Sequence, residues 1–268
     1  MAANSKIRLD RLLFDRGLAP DIKEAAALVM AGKVSVTGER RSPTPGMHVR
    51  PGVQVTVAPE QQFVSRGGEK LAGALERFDV RVGGAVCLDV GASTGGFTDA
   101  LLQSGASRVY AVDTGRGQLH QKLLNDDRVV SKERTNVANG LELPEKVDLV
   151  VADVSFTSLK TVLPVALAQL SADRLASTPP NAPKGVHRPR AIVLLKPQFE
   201  AKKSEVPRGG VITDPIVHAT VIGRFLKWAG DSKIRVRGLI SSGILGEKGN
   251  REFFLLLEPS DSGRGLQE

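Results

Sequence analysis

The segment CLDVGASTGGFTDALL, residues 87–102, decides the fold of this chain. An apolar run ends at Asp89, a glycine-rich loop follows, and an amphipathic helical pattern begins after the loop. In an open α/β sheet, such a first strand–helix turn binds a ligand outside the carboxyl ends of the strands. The loop does not match a triphosphate-binding loop, because Phe97 stands where the phosphate-binding lysine belongs. It does not match a dinucleotide fingerprint either, since Ser93 occupies the position of the second glycine.

A third pattern, acid-x-G-x-x-x-G, is met by Asp89, Gly91 and Gly95. It resembles the first motif of class I methyltransferases, which use S-adenosylmethionine, a ligand that carries a sulfonium and no phosphate. Glycines let the backbone approach a ligand closely, and an acidic group complements a cationic one. We therefore expect S-adenosylmethionine as the cofactor and place Phe97 at the same site.

Two later positions complete the expected cofactor site. The strand-like RVYAVD ends at Asp113, and a carboxylate there can accept hydrogen bonds from both ribose hydroxyls. A helix N-cap or a loop acid is the alternative role for this residue. After the third strand, ERTNVANG offers Asn136 for the adenine edge.

The rest of the chain after residue 86 alternates strand and helix patterns. Short apolar runs without strict alternation indicate strands that are buried on both faces: AVCLDV, RVYAVD, RVV, VDLVVADV and AIVLLKP. Helix-like segments lie between them, which indicates a doubly wound, Rossmann-like parallel sheet. The last segment, residues 234–259, resembles two strands joined by a Gly/Asn-rich turn, and such a hairpin adds an antiparallel strand.

Four ionisable residues lie at predicted strand ends or beside them. Lys70 is on a helix before the first strand, Asp153 ends the fourth strand, Lys196 ends the fifth, and Glu252 enters the last. We expect them to converge at the carboxyl edge of the sheet, although Lys196 alone could simply extend its ammonium into solvent. VVADVSF lacks the proline pair of amino-group methyltransferases, and Cys87, within the first strand, is misplaced for carbon-5 chemistry.

Residues 6–58 look like a separate module. IRLDRLLFDRGL and APDIKEAAALVMAG predict two helices, with Asp21 as the second N-cap, and KVSVTG and VQVTV predict short strands. The module resembles the S-four RNA-binding domain in its R-L-D, R-G-L, A-x-x-L and G-x-V-x-V-x-G spacing, although Asp21-Ile22 stands where that family often has Ser-Arg. The resemblance implies RNA contacts by the basic residues Arg8, Arg11, Lys23, Lys33, Arg40 and Arg41.

The segments SRGGEKL, DVGASTGGFT, VVADVSF, LLKPQFE, GGVITDP and GEKGNREFF together resemble the FtsJ-like ribose 2′-O-methyltransferases. With the N-terminal module, the chain is similar to the TlyA family, often labelled haemolysins. The resemblance implies a seven-stranded α/β sheet, S-adenosylmethionine, and 2′-O-methylation of cytidines in ribosomal RNA. We expect Lys196 to act as the base, with Asp153 orienting its ammonium and Glu252 balancing charge and holding Lys70.

These patterns divide the chain into an RNA-binding domain at residues 1–60, a linker at 61–68, a methyltransferase domain at 69–258 and a polar tail at 259–268. The proline-rich residues 171–190, whose basic end is Lys184, Arg188 and Arg190, are most simply a surface loop.

Composition limits the partners. A net charge of +8 favours a polyanion such as RNA, and the four histidines show no metal-ligand spacing. The first residues have no apolar core of signal-peptide length, and no run is long enough to span a bilayer, so a cytoplasmic protein without a membrane partner is expected. Two alternatives stay open: a non-catalytic RNA-binding protein and a membrane-lysing toxin.

Overall fold

The computed structural model describes residues 6–39, 41–58, 62–172 and 189–259. The chain forms two compact units, Met1–Gln61 and Gln62–Glu268. Arg40 and most of the proline-rich segment, including Lys184 and Arg188, lie outside the described residues, as does the polar tail after Pro259.

The first unit contains two short helices and two small antiparallel sheets. Helices α1 (Leu9–Asp15) and α2 (Ile22–Met30) pack through a small apolar core that includes Leu13, Ala25 and Val29. Strands β1 (Ile7–Arg8) and β3 (His48–Val49) form one sheet, and β2 (Val34–Val36) and β4 (Val55–Val57) form the other. Asp21 is the N-cap of α2, as its position predicted, because its carboxylate accepts a hydrogen bond from the Glu24 amide at 2.7 Å.

The second unit is built on a sheet that has seven strands among the described residues. Its strands are β5 (Val86–Val90), β6 (Arg108–Val112), β7 (Val129–Lys132), β8 (Leu149–Ala152), β9 (Arg190–Leu195), β10 (Ile234–Ser241) and β11 (Phe253–Pro259). The order across the sheet is β10-β11-β9-β8-β5-β6-β7. The five strands from β9 to β7 are parallel, and β11 runs antiparallel to both β9 and β10. The predicted hairpin is therefore present, and it extends the parallel sheet at one edge.

Helices cover both faces of this sheet because the strands are apolar on both sides. Successive residues of β5 enter different cores: Cys87 packs with residues of α3 and α4, whereas Leu88 packs with residues of α6 and α8. The α-helices among the described residues of the second unit are α3 (Arg66–Arg77), α4 (Gly96–Gln103), α5 (Gln121–Leu124), α6 (Leu159–Leu167), α7 (Pro197–Glu200) and α8 (Pro215–Asp231). The seven-stranded α/β class predicted from the sequence is confirmed.

From Gln62 onward, the predicted linker at residues 61–68 lies in the second unit. Phe63 is 5% exposed and belongs to the core of the second unit, and α3 already begins at Arg66. The Val64 amide donates a hydrogen bond to the Asp99 carboxylate at 2.9 Å, which fastens this segment to α4. Burial of Phe63 stabilises an ordered conformation here, so these residues belong to the second unit.

Candidate active site

The carboxyl ends of neighbouring strands bring the predicted catalytic residues to one edge of the sheet. Ala152, which precedes Asp153, lies opposite Val90 of β5 and Val193 of β9. Phe253, which follows Glu252, lies opposite Leu195, the residue before Lys196. Asp153, Lys196 and Glu252 thus flank adjacent strand ends, next to the strand that leads into the glycine loop.

Lys196 and Asp153 form an ion pair. The Lys196 Nζ atom lies 2.7 Å from Asp153 Oδ1, and it also donates a hydrogen bond to Ser155 Oγ at 3.0 Å. The two side chains are 12% and 23% exposed, so the ammonium is largely shielded from water. Lys196 does not simply extend into solvent, because its charge is held by a carboxylate and a hydroxyl.

Lys70 and Glu252 form a second, more deeply buried pair. The Lys70 Nζ atom donates to Glu252 Oε2 at 2.7 Å, and the side chains are 10% and 3% exposed. Gly246 leaves room for this carboxylate, since a Cβ atom there would collide with Glu252 Oε1. The expected contact between Glu252 and Lys70 is therefore present. Removing only one partner of such a buried pair strongly destabilises the fold, because the other charge is left buried without compensation.

The glycine loop touches the backbone that carries Asp153. Gly91 has φ +84°, and a Cβ atom built on it would lie 2.5 Å from the Asp153 carbonyl oxygen. Gly95 has φ +95°, and its Cβ atom would collide with Leu119 and Leu123. Both positions favour glycine because L-residues rarely adopt this φ, and at Gly91 the backbone of Asp153 also leaves no space for a side chain. The glycine loop therefore packs directly on the backbone of Asp153, at the end of β8.

Asp89 is completely buried beneath the loop. Its Oδ2 accepts a hydrogen bond from Thr98 Oγ1 at 2.7 Å, while its Oδ1 has no hydrogen-bond partner among the described residues. The pKa of Asp89 is raised to about 7, chiefly by burial and in smaller part by the carboxylates of Asp153 and Asp113, against the lowering effect of the hydrogen bonds from Thr98. A cationic ligand beside the loop would relieve this concentration of carboxylates.

Asp113 lines a pocket beside the glycine loop. Its Oδ2 accepts from the Ser93 amide at 2.8 Å, and its Oδ1 accepts from the Gly115 amide at 2.6 Å. The pocket is lined by Ala92, Ser93, Ala111, Asp113, Gly115, Gln118, Leu119, Ser131 and Glu133. It has two acids and no lysine or arginine in its lining, which fits a cationic ligand and disfavours a phosphate.

Three polar residues of this pocket were missed in the sequence: Gln118, Ser131 and Glu133. Glu133 follows β7 directly, so an acid after the third parallel strand was the available signal. Asn136, predicted for the adenine edge, is exposed and caps a 3₁₀ helix (Val137–Asn139) by accepting from the Ala138 amide at 3.0 Å. The pocket lining includes Glu133 but not Asn136.

The structure places Phe97, which was predicted to lie at the cofactor site, in the core of the second unit. The side chain is 3% exposed and lies in the core, with its ring centroid 6.0 Å from that of Phe254. Burial of a large apolar ring favours the core over the loop opening. Cys87 is also fully buried, as expected, and burial raises the pKa of its thiol, so it is no nucleophile.

Phe156 is an exposed aromatic residue next to the Lys196–Asp153 pair. The residue is 92% exposed and has φ +64°, an outlier for a bulky side chain. Its ring lies 5.3 Å from the ring of Phe199, and Lys196 Nζ lies 5.9 Å from the same Phe199 ring. A strained backbone that keeps an apolar ring in water is common at functional sites. In the sequence, Phe156 lies within VVADVSF, where no pattern predicts a role for it.

The basic residues predicted to bind RNA differ in their surroundings within the first unit. Arg8 pairs with Asp10 at 2.6 Å, and Arg11 pairs with Asp15 at 2.9 Å. Lys23 and Arg41 are exposed, and Lys33 is half-buried. Lys23 and Arg41, as exposed cations, can be reached by a polyanion from solvent.

The model of the FtsJ-like methyltransferase family matches residues 63–258. This chain belongs to the FtsJ-like methyltransferases. The match contains both ion pairs and the whole glycine loop, so the family assignment applies to the unit that holds the candidate site.

Curated relatives of this FtsJ-like methyltransferase match along nearly its whole length. The 16S/23S rRNA (cytidine-2'-O)-methyltransferase TlyA of Mycobacterium tuberculosis is 42% identical and covers 98% of this chain and 95% of its own. Hemolysin A of Brachyspira hyodysenteriae is 34% identical and covers 92% of this chain and 98% of its own. A solved structure from Streptococcus thermophilus that carries the name hemolysin has 37% identity and a TM-score of 0.68, covering 97% of this chain and 90% of that one.

The hemolysin name raises the question of membrane contact. Among the described residues of this FtsJ-like methyltransferase, no helix combines the length and apolar character needed to cross a bilayer.

Proposed function

We propose that this protein transfers a methyl group from S-adenosylmethionine to the ribose 2′-hydroxyl of a cytidine in ribosomal RNA. One observation carries the proposal: the Lys196–Asp153 pair stands at the sheet edge that packs on the glycine loop. A lysine amine beside a methyl-donor loop supplies what a hydroxyl acceptor needs, because a sugar hydroxyl must lose a proton as it is methylated. The M. tuberculosis relative, named as a cytidine-2'-O-methyltransferase, supports the same reaction.

The proposed cofactor fits the residues of the pocket. S-adenosylmethionine, when bound, supplies an electrophilic methyl group on a positively charged sulfur. Asp113 and Glu133 give this side of the site a negative character that complements the cation. We assign the ribose hydroxyls of the cofactor to Asp113 and the adenine edge to the Glu133–Asn136 segment. The glycines at positions 91 and 95 allow the tight turn that holds the loop against the end of β8, beside this pocket.

Lys196 is the proposed base. In its neutral form, its Nζ accepts the proton of the 2′-hydroxyl, while Asp153 and Ser155 hold the amine in one orientation. General-base help of this kind is worth about 10²–10⁴-fold in rate. The greater part of the acceleration then comes from alignment of the hydroxyl with the methyl group.

The Lys70–Glu252 pair shapes the acceptor side of the site. Glu252 neutralises Lys70 inside the protein, so the pair presents a fixed arrangement of charges beside the strand end that carries Lys196. Preorganised charges cost no reorganisation during the reaction. We assign to this pair the positioning of the ribose.

Two features support an RNA substrate. The exposed ring of Phe156 offers a stacking surface for an unpaired base, and stacking of this kind is worth about 1–3 kcal/mol. The first unit offers Lys23, Lys33 and Arg41 to phosphates, in keeping with the net charge of +8. The resemblance of this unit to the S-four domain supports RNA docking as its role, with rRNA or a ribosomal subunit as the partner.

The test is methyl transfer to defined RNA. Purified protein is incubated with naked ribosomal RNA and with each ribosomal subunit, using S-adenosylmethionine with a labelled methyl group, and 2′-O-methyl positions are then mapped. The proposal expects label at a cytidine 2′-oxygen. RNA that is bound without any methyl transfer would support the non-catalytic alternative, and label on a base nitrogen or carbon would contradict the assigned acceptor.

A further inference from the structure

We propose that Glu200 is a positioning residue for the reaction: it holds the loop that carries Asp153 against the segment that carries Lys196. Glu200 ends α7, four residues after Lys196. Its partners, Ser158 and Leu159, lie in the loop that follows Asp153 and at the start of α6. The inference rests on the proposed function, because it assigns Glu200 to the alignment of the proposed base.

Glu200 makes two short hydrogen bonds to this loop. Its Oε2 accepts from Ser158 Oγ at 2.7 Å, and its Oε1 accepts from the Leu159 amide at 2.6 Å. Ser158 is also the N-cap of α6, since its Oγ accepts from the Lys160 amide at 3.1 Å. Glu200, Ser158 and Leu159 together are called the Glu200 bridge below. Both carboxylate oxygens are taken up by the bridge, so Glu200 acts through the loop rather than on the substrate.

The helix terminus makes a carboxylate suitable for this position. The first amides of α6 have no partner within the helix, and the N-terminal end of a helix carries a partial positive charge. Burial raises the pKa of Glu200, whereas the bonds from Ser158 and Leu159 and the charge of Lys160 lower it. A neutral side chain at this half-buried position would cost less to desolvate than a carboxylate does. The hydrogen bonds of the bridge therefore offset the cost of keeping an acid here.

The same two segments also meet through Lys196, which donates a hydrogen bond to Ser155, and through an aromatic pair. Lys196 pairs with Asp153, and the Phe199 ring lies against the Phe156 ring. Phe156 has a strained φ of +64°, and such a conformation persists only when neighbouring contacts hold it. The Glu200 bridge is the contact that anchors the far end of this loop. Without it, the loop can relax, and the Asp153 carboxylate and the Phe156 ring lose their common alignment with Lys196.

The decisive variants are Glu200→Ala and Glu200→Gln. The Ala variant removes both bonds, and we expect kcat for RNA methylation to fall about tenfold or more. The dissociation constant of S-adenosylmethionine should stay within about twofold, because the bridge does not line the donor pocket. The Gln variant should keep most of the activity, since its amide oxygen accepts from Leu159 and its amide nitrogen donates to Ser158 Oγ.

A double variant and a matched control complete the experiment. Ser158→Ala should lower kcat less than Glu200→Ala does, and combining the two should add nothing, since both act on one contact. Glu205→Ala is the control: this glutamate also lies after β9 and pairs with Arg224 at 2.6 Å, outside the bridge. Its kcat should be unchanged.

Each outcome bears on one of the two proposals. A Glu200→Ala protein with kcat within twofold of wild type overturns the inference, as does one whose donor binding falls in proportion to kcat. If Glu200→Ala does not fold, Ser158→Ala with unchanged kcat overturns it instead. A wild-type protein that binds S-adenosylmethionine but methylates no RNA contradicts the proposed function.

Discussion

Replacing Asp89 with asparagine should remove a pH dependence from the stability of the second unit. Asp89 is fully buried, and its pKa is raised from the ordinary 3.8 to about 7 in the folded protein. A raised pKa means that the folded state holds this proton more tightly than the unfolded state does. The stabilisation from Asp89 is therefore complete below pH 4, is lost as the pH rises to about 7, and stays lost above that value.

The size of the effect follows from the shift. One pKa unit corresponds to about 1.4 kcal/mol, so a shift of about three units is worth roughly 4 kcal/mol in total. Between pH 5 and pH 7.5, linkage gives a loss of about 2.5 kcal/mol in the free energy of unfolding. For a unit of about 200 residues, this corresponds to a melting temperature lower by about 5–10 °C.

The assay is calorimetric melting of wild type and Asp89→Asn across this pH range, without cofactor. The melting temperature of the variant, taken relative to wild type, should rise steadily from pH 5 to pH 7.5. Asp79→Asn is the control, because the Asp79 side chain is 88% exposed and its replacement should shift both ends of the range equally. If the melting temperatures of Asp89→Asn and wild type differ by the same amount at every pH, the buried carboxyl titrates at its ordinary value and the reasoning is refuted.

Three further predictions test the site. Phe156→Gly should leave the melting temperature equal or higher, because glycine adopts the positive φ without strain. RNA methylation by this variant should fall about tenfold or more while donor binding stays intact, and unchanged methylation would contradict the stacking role. Lys70→Met should lower the free energy of unfolding in urea by about 3–5 kcal/mol, because it leaves the buried Glu252 carboxylate without its cation. Adding Glu252→Gln should recover most of this loss, and an additive loss in the double variant would contradict the pairing. Gly91→Ala should abolish both donor binding and methylation, because its Cβ atom would displace the Asp153 backbone; normal binding by isothermal titration refutes this.

The strand ends were predictable from the sequence because strand polarity decides where they lie. An apolar run predicts a buried strand, and parallel strands place their carboxyl ends along one edge. Asp153 and Lys196 each follow such a run, so their proximity needed only the strand order. The partnership of Lys70 with Glu252 joins residues 182 positions apart, and it was predicted from opposite charges expected at the same sheet edge rather than from any local pattern.

Side-chain direction was harder to predict. Phe97 was placed at the cofactor site because of its position in the motif, yet Phe97, Ala100 and Leu101 have the i, i+3, i+4 spacing of a buried helix face. The longest helix, α8, was missed, although Asp214-Pro215 is a typical start signal and Asp214 is its N-cap.

The Glu200 bridge had no signal in the sequence. Ser158 and Leu159 lie 42 and 41 positions before Glu200 in the chain. Their hydrogen bonds to Glu200 form only because β8 and β9 are neighbours in the sheet. A hydrogen bond of this kind depends on tertiary structure, so no local pattern could predict it.

The central claim is that Lys196 takes the proton from a ribose hydroxyl. The direct measurement is single-turnover methylation of ribosomal RNA by Lys196→Ala, together with its dissociation constant for S-adenosylmethionine and with exposed Lys202→Ala as the matched control. We predict a rate at least about 100-fold lower, a dissociation constant within about twofold of wild type, and a normal rate for the control. A Lys196→Ala protein that methylates RNA at the wild-type rate would contradict the account.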